Sequence, residues 1–151
     1  MSSLPADPER RAAAVVSHML AHDEFSRWLG VEVLEVKPAR VTIRMVVRED
    51  MTNGFGVCHG GVTFAFADSA FAFASNTGGQ VSVSIENSMT YPVAVRVGDV
   101  LLADAEQEAS SRRLAYYRVR VTRADGTVVA LFRGTVYQTD QEHDVGHDGS
   151  E

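Results

Sequence analysis

The chain has a single cysteine, Cys58. That excludes an intrachain disulfide framework and fits a reducing compartment. Positive charge is also short, with 14 Lys and Arg against 20 Asp and Glu and a formal net charge of −6. Phosphate backbones need a basic face, so nucleic acid is not the expected partner. Long apolar runs are missing too: the longest, about 14 residues and broken by Asp68, falls short of the roughly 20 that a membrane span needs. The opening MSSLPADPERR lacks the basic-then-apolar order of a secretory signal. No membrane and a cytoplasmic location are the expectations.

What is present fits one globular domain. The chain has 151 residues, 45% of them hydrophobic and 23% charged, enough to bury a core. Residues 1–8 read as a flexible N-terminus, 9–138 as the domain and 139–151 as a disordered polar tail. The tail histidines, His143 and His147, read as solvated. RRAAAVVSHMLAHDEFSRWLG places Val15, Val16, Met19 and Leu20 at helical spacing, with Gly30 as the stop. VEVLEV and VTIRMVV then alternate as strands around a turn at Lys37–Arg40.

CHGGVTFAFADSAFAFASN, residues 58–76, is Ala-rich and apolar on every face, which predicts a buried helix ending at Asn76–Gly79. Four strand-like runs follow, over 81–91, 99–109, 114–122 and 127–138. The first is expected to put Val81, Val83, Ile85 and Met89 on one face, and Asp125-Gly126 marks a hairpin into the last. One apolar helix and six mostly antiparallel strands have one obvious packing solution. The expected class is α+β: a curled antiparallel sheet wrapped around one long buried central helix, with an N-terminal helix.

Asp68 is the only charged residue between Gly60 and Ser75. A carboxylate in such a setting costs several kcal/mol unless it is paired or its pKa rises. It either finds a local partner, such as Ser69 or Ser75, or works as a base or nucleophile. Gly60 and Gly61 open the helix, where free N–H groups and the positive dipole end gather. Glycines there admit a carbonyl oxygen close to the backbone, although His-Gly-Gly also makes an ordinary tight turn. His59 could hold that loop by hydrogen bonding, and Asn53 could serve turn geometry. His59 and Asp68 lack a further ligand set, so no metal is expected. Cys58 beside His59 reads as a small buried residue before it reads as a nucleophile. Arg112, Arg113, Arg118, Arg120, Arg123 and Arg133 gather on late strands, a solvated face or a place for phosphates. Phe55, Trp28 and Tyr116 are core or pocket aromatics.

Asn53-Gly54, His59-Gly60-Gly61, Ala67-Asp68-Ser69-Ala70, Pro92 and Gly98-Asp99 together resemble the hotdog-fold acyl-CoA thioesterases, PaaI type. The resemblance covers about Phe25 to Tyr137. It implies hydrolysis of an acyl-CoA substrate, of the phenylacetyl-CoA or hydroxyphenylacetyl-CoA class, to free acid and CoA, with no cofactor beyond the CoA of the substrate. It also implies a homodimer or a homotetramer built as a dimer of dimers; the uncovered edges of a small curled sheet, and the ~10.5 Å between Gly61 and Asp68 along the helix, predict active sites across the dimer interface. Residue by residue, it implies a catalytic carboxylate at Asp68, polar assistance from Asn53, and carbonyl polarisation at Gly60 next to His59. A further family position, a serine on the strand after the helix, corresponds to Ser84. The alternatives are a hotdog hydratase or dehydratase, which would pair His59 with Asp68, and a non-catalytic acyl-CoA-binding protein.

Overall fold

The computed structural model describes residues 3–146. Its elements are α1 (Pro8–His22), α2 (Glu24–Leu29), β1 (Glu32–Lys37), β2 (Arg40–Val46), a 3-10 turn (Glu49–Met51), α3 (Gly60–Asn76), β3 (Gln80–Thr90), β4 (Val100–Ser110), β5 (Leu114–Arg123) and β6 (Val128–Glu142). The strands form one antiparallel sheet in the order β1-β2-β4-β5-β6-β3. The sheet curls around α3, as expected for a hotdog fold. Phe66, Phe71 and Phe73 of the helix meet Ile43, Met45, Leu101, Val119 and Phe132 of the strands, all fully buried. Burial of each such side chain contributes about 1.5–3 kcal/mol, which explains why so apolar a helix lies inside. No helix among the described residues is long and apolar enough to cross a membrane.

The N-terminal helix is two helices. Asp23, with φ −95° and ψ 89°, ends α1 through its N–H to the Leu20 carbonyl (3.2 Å) and caps α2 by accepting the Ser26 N–H (2.9 Å). A short acidic side chain that competes for backbone N–H groups breaks a helix at such a point. Gly30 stops α2 as expected, in the left-handed region at φ 79°.

The two sheet edges differ. β1 is short, bulged between Val33 and Glu35, and studded with Glu32, Glu35 and Lys37. β3 runs for 11 residues. Its expected apolar face does not form, because the register shifts between Ser84 and Glu86. Val83 lies opposite Tyr137, on the outer face, whereas Ser84 lies opposite buried Val136 and Asn87 opposite Gly134. The bulge therefore turns Ser84, Asn87 and Met89 toward the helix and leaves Val83 and Ile85 about half exposed.

Both ends are more ordered than their composition implies. Asp7 caps α1, Pro8 is helical, and Arg11 bonds the carbonyls of Pro5 and Ala6. β6 continues to Glu142 instead of ending at 138, because Gln80 of β3 lies opposite Glu142. His143 is half-buried, its imidazole 2.7 Å from Asn76 Oδ1 and its N–H bonded to the Gly79 carbonyl. The remainder of the expected tail, including His147, lies outside the described residues.

Candidate active site

The turn before α3 is a closed unit. Thr52 and Cys58 form a bridge, Asn53 N–H donates to the Val57 carbonyl, and Asn53 Oδ1 accepts from Phe55 N–H (2.9 Å) and Val57 N–H (3.4 Å). Asn53 thus shapes the loop with its oxygen, and its amide NH2 has no acceptor among the described residues. Phe55 stands at the tip, 91% exposed on a backbone that hydrogen bonds hold firmly.

His59 is the N-cap of α3. Its Nδ1 accepts the Gly61 N–H at 2.8 Å, so the proton of the neutral ring belongs on Nε2. Gly61 N–H is therefore already satisfied. Gly60 N–H is one of the helix's orphan donors and has no acceptor among the described residues. That N–H, at the positive end of the helix dipole, is the one left for an incoming carbonyl oxygen.

Asp68 lies eight residues on, ~12 Å along the axis at 1.5 Å per residue. It is half-buried, and its carboxylate has neither a hydrogen bond nor an ion pair among the described residues. Burial, together with the nearby Asp23 charge, holds its carboxyl above the usual carboxylate range. The expected local partners are engaged elsewhere: Ser69 bonds Ser26, and Ser75 bonds the Ala72 carbonyl. Gly61, Ala65, Asp68 and Ala72 follow helical spacing along one partly open line of α3, small side chains around one carboxylate, with Val62 and Phe64 also partly open beside it. The helix-facing side of β3 adds Ser84, whose Oγ donates to Asn87 Oδ1 at 2.9 Å.

Other candidates separate on contact. Arg113 is committed to a two-pronged pair with Asp140 (3.0 Å each), to the Gln138 carbonyl and to the Tyr137 ring. Arg112 is exposed, and its guanidinium makes no such bond among the described residues. Cys58 is buried against Thr63, and burial pushes its thiol up, away from thiolate chemistry. Trp28 is half exposed beneath the Arg48 guanidinium, 5.0 Å from the ring centre. No group of three metal-ligating side chains occurs among the described residues. Three participants escaped the sequence reading: Tyr91, which bonds the Gly60 carbonyl, Asn87, and Asp23. Tyr91 meets Gly60 across the fold and Asn87 meets Ser84 across a bulge, while Asp23 caps Ser26 locally and reaches α3 only through the Ser26–Ser69 contact, 43 residues apart.

The profile of the Thioesterase superfamily matches residues 55–130, from the Phe55 loop to β6. The acyl-coenzyme A thioesterase PaaI of Escherichia coli K12 is 30% identical over 116 residues, 77% of this chain and 83% of that protein. The solved structure of the E. coli PaaI protein from the phenylacetic acid degradation operon superposes with a TM-score of 0.88 at 26% identity, covering 90% of this chain and 99% of that one. Phenylacetic acid degradation protein PaaI from Thermus thermophilus, solved as a point mutant, is 41% identical, with a TM-score of 0.75 over 78% of this chain and all (100%) of that one. The curled sheet, the His59-capped central helix and these similarities agree: the chain belongs to the thioesterase superfamily, as a hotdog-fold thioester hydrolase of the PaaI type.

Proposed function

We propose that the protein hydrolyses aryl-acyl-CoA thioesters, of the phenylacetyl-CoA or hydroxyphenylacetyl-CoA class, to free acid and CoA in the cytoplasm. The observation that carries this reading is the unpartnered Asp68 carboxylate on an otherwise apolar helix whose first N–H, at Gly60, is also unpartnered. The thioester carbonyl accepts from Gly60 N–H. Asp68 takes a proton from water as the water oxygen attacks the carbonyl carbon. The oxyanion then collapses, the C–S bond breaks, and the leaving CoA sulfur receives the proton. No cofactor enters this scheme.

Along one helix the two groups are ~12 Å apart, too far to serve one carbonyl, since reacting atoms must come within about 3–3.5 Å. A two-fold pair of chains resolves this, joined along β3 with the α3 helices antiparallel. Asp68 then faces the partner subunit's Gly60, with the small residues of α3 allowing the approach. Asn53 and Ser84 border the carbonyl, and Phe55 closes the acyl pocket. Arg112 takes a CoA phosphate, and Arg113 joins it only by releasing Asp140. Two such pairs form the homotetramer. A hydratase reading is weaker, because His59 Nδ1 is spent on Gly61.

The test is thiol release from a panel of aryl, short-chain and long-chain acyl-CoAs, with Asp68→Asn beside the parent. Asp68→Asn should fold and dimerise yet lose turnover by at least ~10²-fold, the lower range for a lost acid–base group. Mixing it with an inactive Gly60 variant should restore activity, because each hybrid pair holds one intact site. Single turnover in 18O-water should place no label in Asp68. Near-normal turnover of Asp68→Asn would refute the role, failed complementation would refute the shared site, and labelled Asp68 would make it the nucleophile.

A further inference from the structure

Beside Asp68 a buried chain of hydrogen bonds joins two helices that sequence keeps apart. Ser69 follows Asp68 on α3, Ser26 lies on α2, and both are almost fully buried. Their hydroxyl oxygens are 2.7 Å apart, across 43 residues of sequence. Ser26 Oγ also lies 2.6 Å from Asp23 Oδ2. An ionised carboxylate only accepts, so the single Ser26 proton points to Asp23, and Ser69 must then donate to Ser26. The proton order runs from Ser69 through Ser26 to Asp23. Asp23 cannot drift, since its other oxygen takes the Ser26 N–H and its backbone is fixed between two helices.

We propose that Asp23 is a positioning residue for thioester hydrolysis: through Ser26 and Ser69 it fixes α3 at Asp68 and keeps a second negative charge beside that carboxylate. This role rests on Asp68 being the catalytic carboxylate. Ser69 is drawn across to α2 instead of turning back onto a carbonyl of its own helix, the usual resting place of a helical serine. Burial comes first in raising the Asp68 carboxyl, and among the charged groups of the flanking elements (His18 and His22 of α1, Asp23, Glu24 and Arg27 around α2, Arg48 after β2) Asp23 is the one whose charge adds to it. A carboxylate kept basic by a like charge is a better proton acceptor near neutral pH.

The test combines carboxyl-carbon NMR titration of Asp68 in the whole protein with the pH dependence of kcat/KM. The Asp68 signal is assigned from its loss in Asp68→Asn. Asp23→Asn should still cap α2, because Asn is as good a cap as Asp. It should lower the Asp68 midpoint and carry the acidic limb of the rate profile to lower pH. Ser26→Ala keeps the charge and cuts the link, so kcat should fall roughly 3- to 10-fold, the range for one lost hydrogen bond, with KM unchanged. A purely structural cap would move melting temperature and leave the limb in place. An unmoved Asp68 midpoint in Asp23→Asn, or full kcat in Ser26→Ala, overturns the proposal. Full turnover in Asp68→Asn also overturns it, by removing the reaction it serves, and that outcome is read separately from the titration.

Discussion

The Tyr91 hydroxyl donates to the Gly60 carbonyl at 2.9 Å, and its ring lies 3.5 Å from where a Cβ on Gly60 would stand. The residue after β3 thereby buttresses the first residue of the central helix, beside the N–H proposed to take the thioester carbonyl. Tyr91→Phe keeps the ring and removes the bond. Melting should change little, because the bond is exposed, while kcat/KM should fall roughly 3- to 10-fold. Unchanged kinetics would reduce Tyr91 to packing.

Gly60 and Gly61 should separate under substitution. A Cβ at Gly61 would lie 2.9 Å from His59 Nδ1, so the imidazole cap must move, whereas at Gly60 the nearest atom is the Tyr91 ring at ordinary contact distance. Gly61→Ala should cost about 1 kcal/mol of stability, the value of a lost N-cap. Gly60→Ala should melt near the parent yet lose most turnover, its methyl blocking the carbonyl's approach. Melting curves and thiol release on both variants check this; equal stability losses would contradict it.

Arg112→Glu should raise KM for an acyl-CoA and spare the matching N-acetylcysteamine thioester, which lacks the nucleotide. Phosphate contacts supply uniform binding, so the loss belongs in KM more than kcat. Arg112 is the better target of the pair because Arg113 is already held by Asp140. Equal effects on both substrates would remove Arg112 from the CoA site.

Gly134 is required by close approach. A Cβ there would meet the Phe71 ring at 2.6 Å and Asn87 Oδ1 at 2.8 Å. Gly134→Ala should destabilise by about 1–3 kcal/mol, the usual cost of overpacking, seen as a lower denaturant midpoint. An unchanged midpoint would mean that β6 shifts freely.

His143 gives stability a pH dependence. Burial lowers its pKa from the usual 6.5. The unfolded chain then binds the proton more readily, so this contribution is complete above about pH 6.5 and is lost as pH falls through the folded value. His143→Gln should flatten unfolding free energy against pH in that window. An identical slope would assign the acid sensitivity elsewhere.

The central helix was legible because CHGGVTFAFADSAFAFASN is apolar on every face, and Asp68 stood out against it for the same reason. The strand count and most turns followed from alternation and from Gly and Asp positions. The β3 face was not legible, since a bulge between Ser84 and Glu86 exists only against β6. Nor was the end of β6, where backbone pairing with Gln80 outweighs a polar composition. Arg113 looked like a phosphate ligand until Asp140, 27 residues away, arrived beside it. Within the candidate site, Asp68 and the His59–Gly60 turn could be read locally, whereas the approach of Tyr91 to Gly60 and of Asp23 to α3 could not.

The unequal sheet edges give this fold a valence of one. β1 is too short, too charged and too bulged to template another strand, whereas β3 offers 11 residues of backbone. Edge-to-edge joining at one side alone closes with two copies, so the two pairs of the proposed tetramer would have to meet through surfaces other than strand edges. Lengthening β1 or removing its bulge would supply the second side, and the same sequence would then be able to build a fibre.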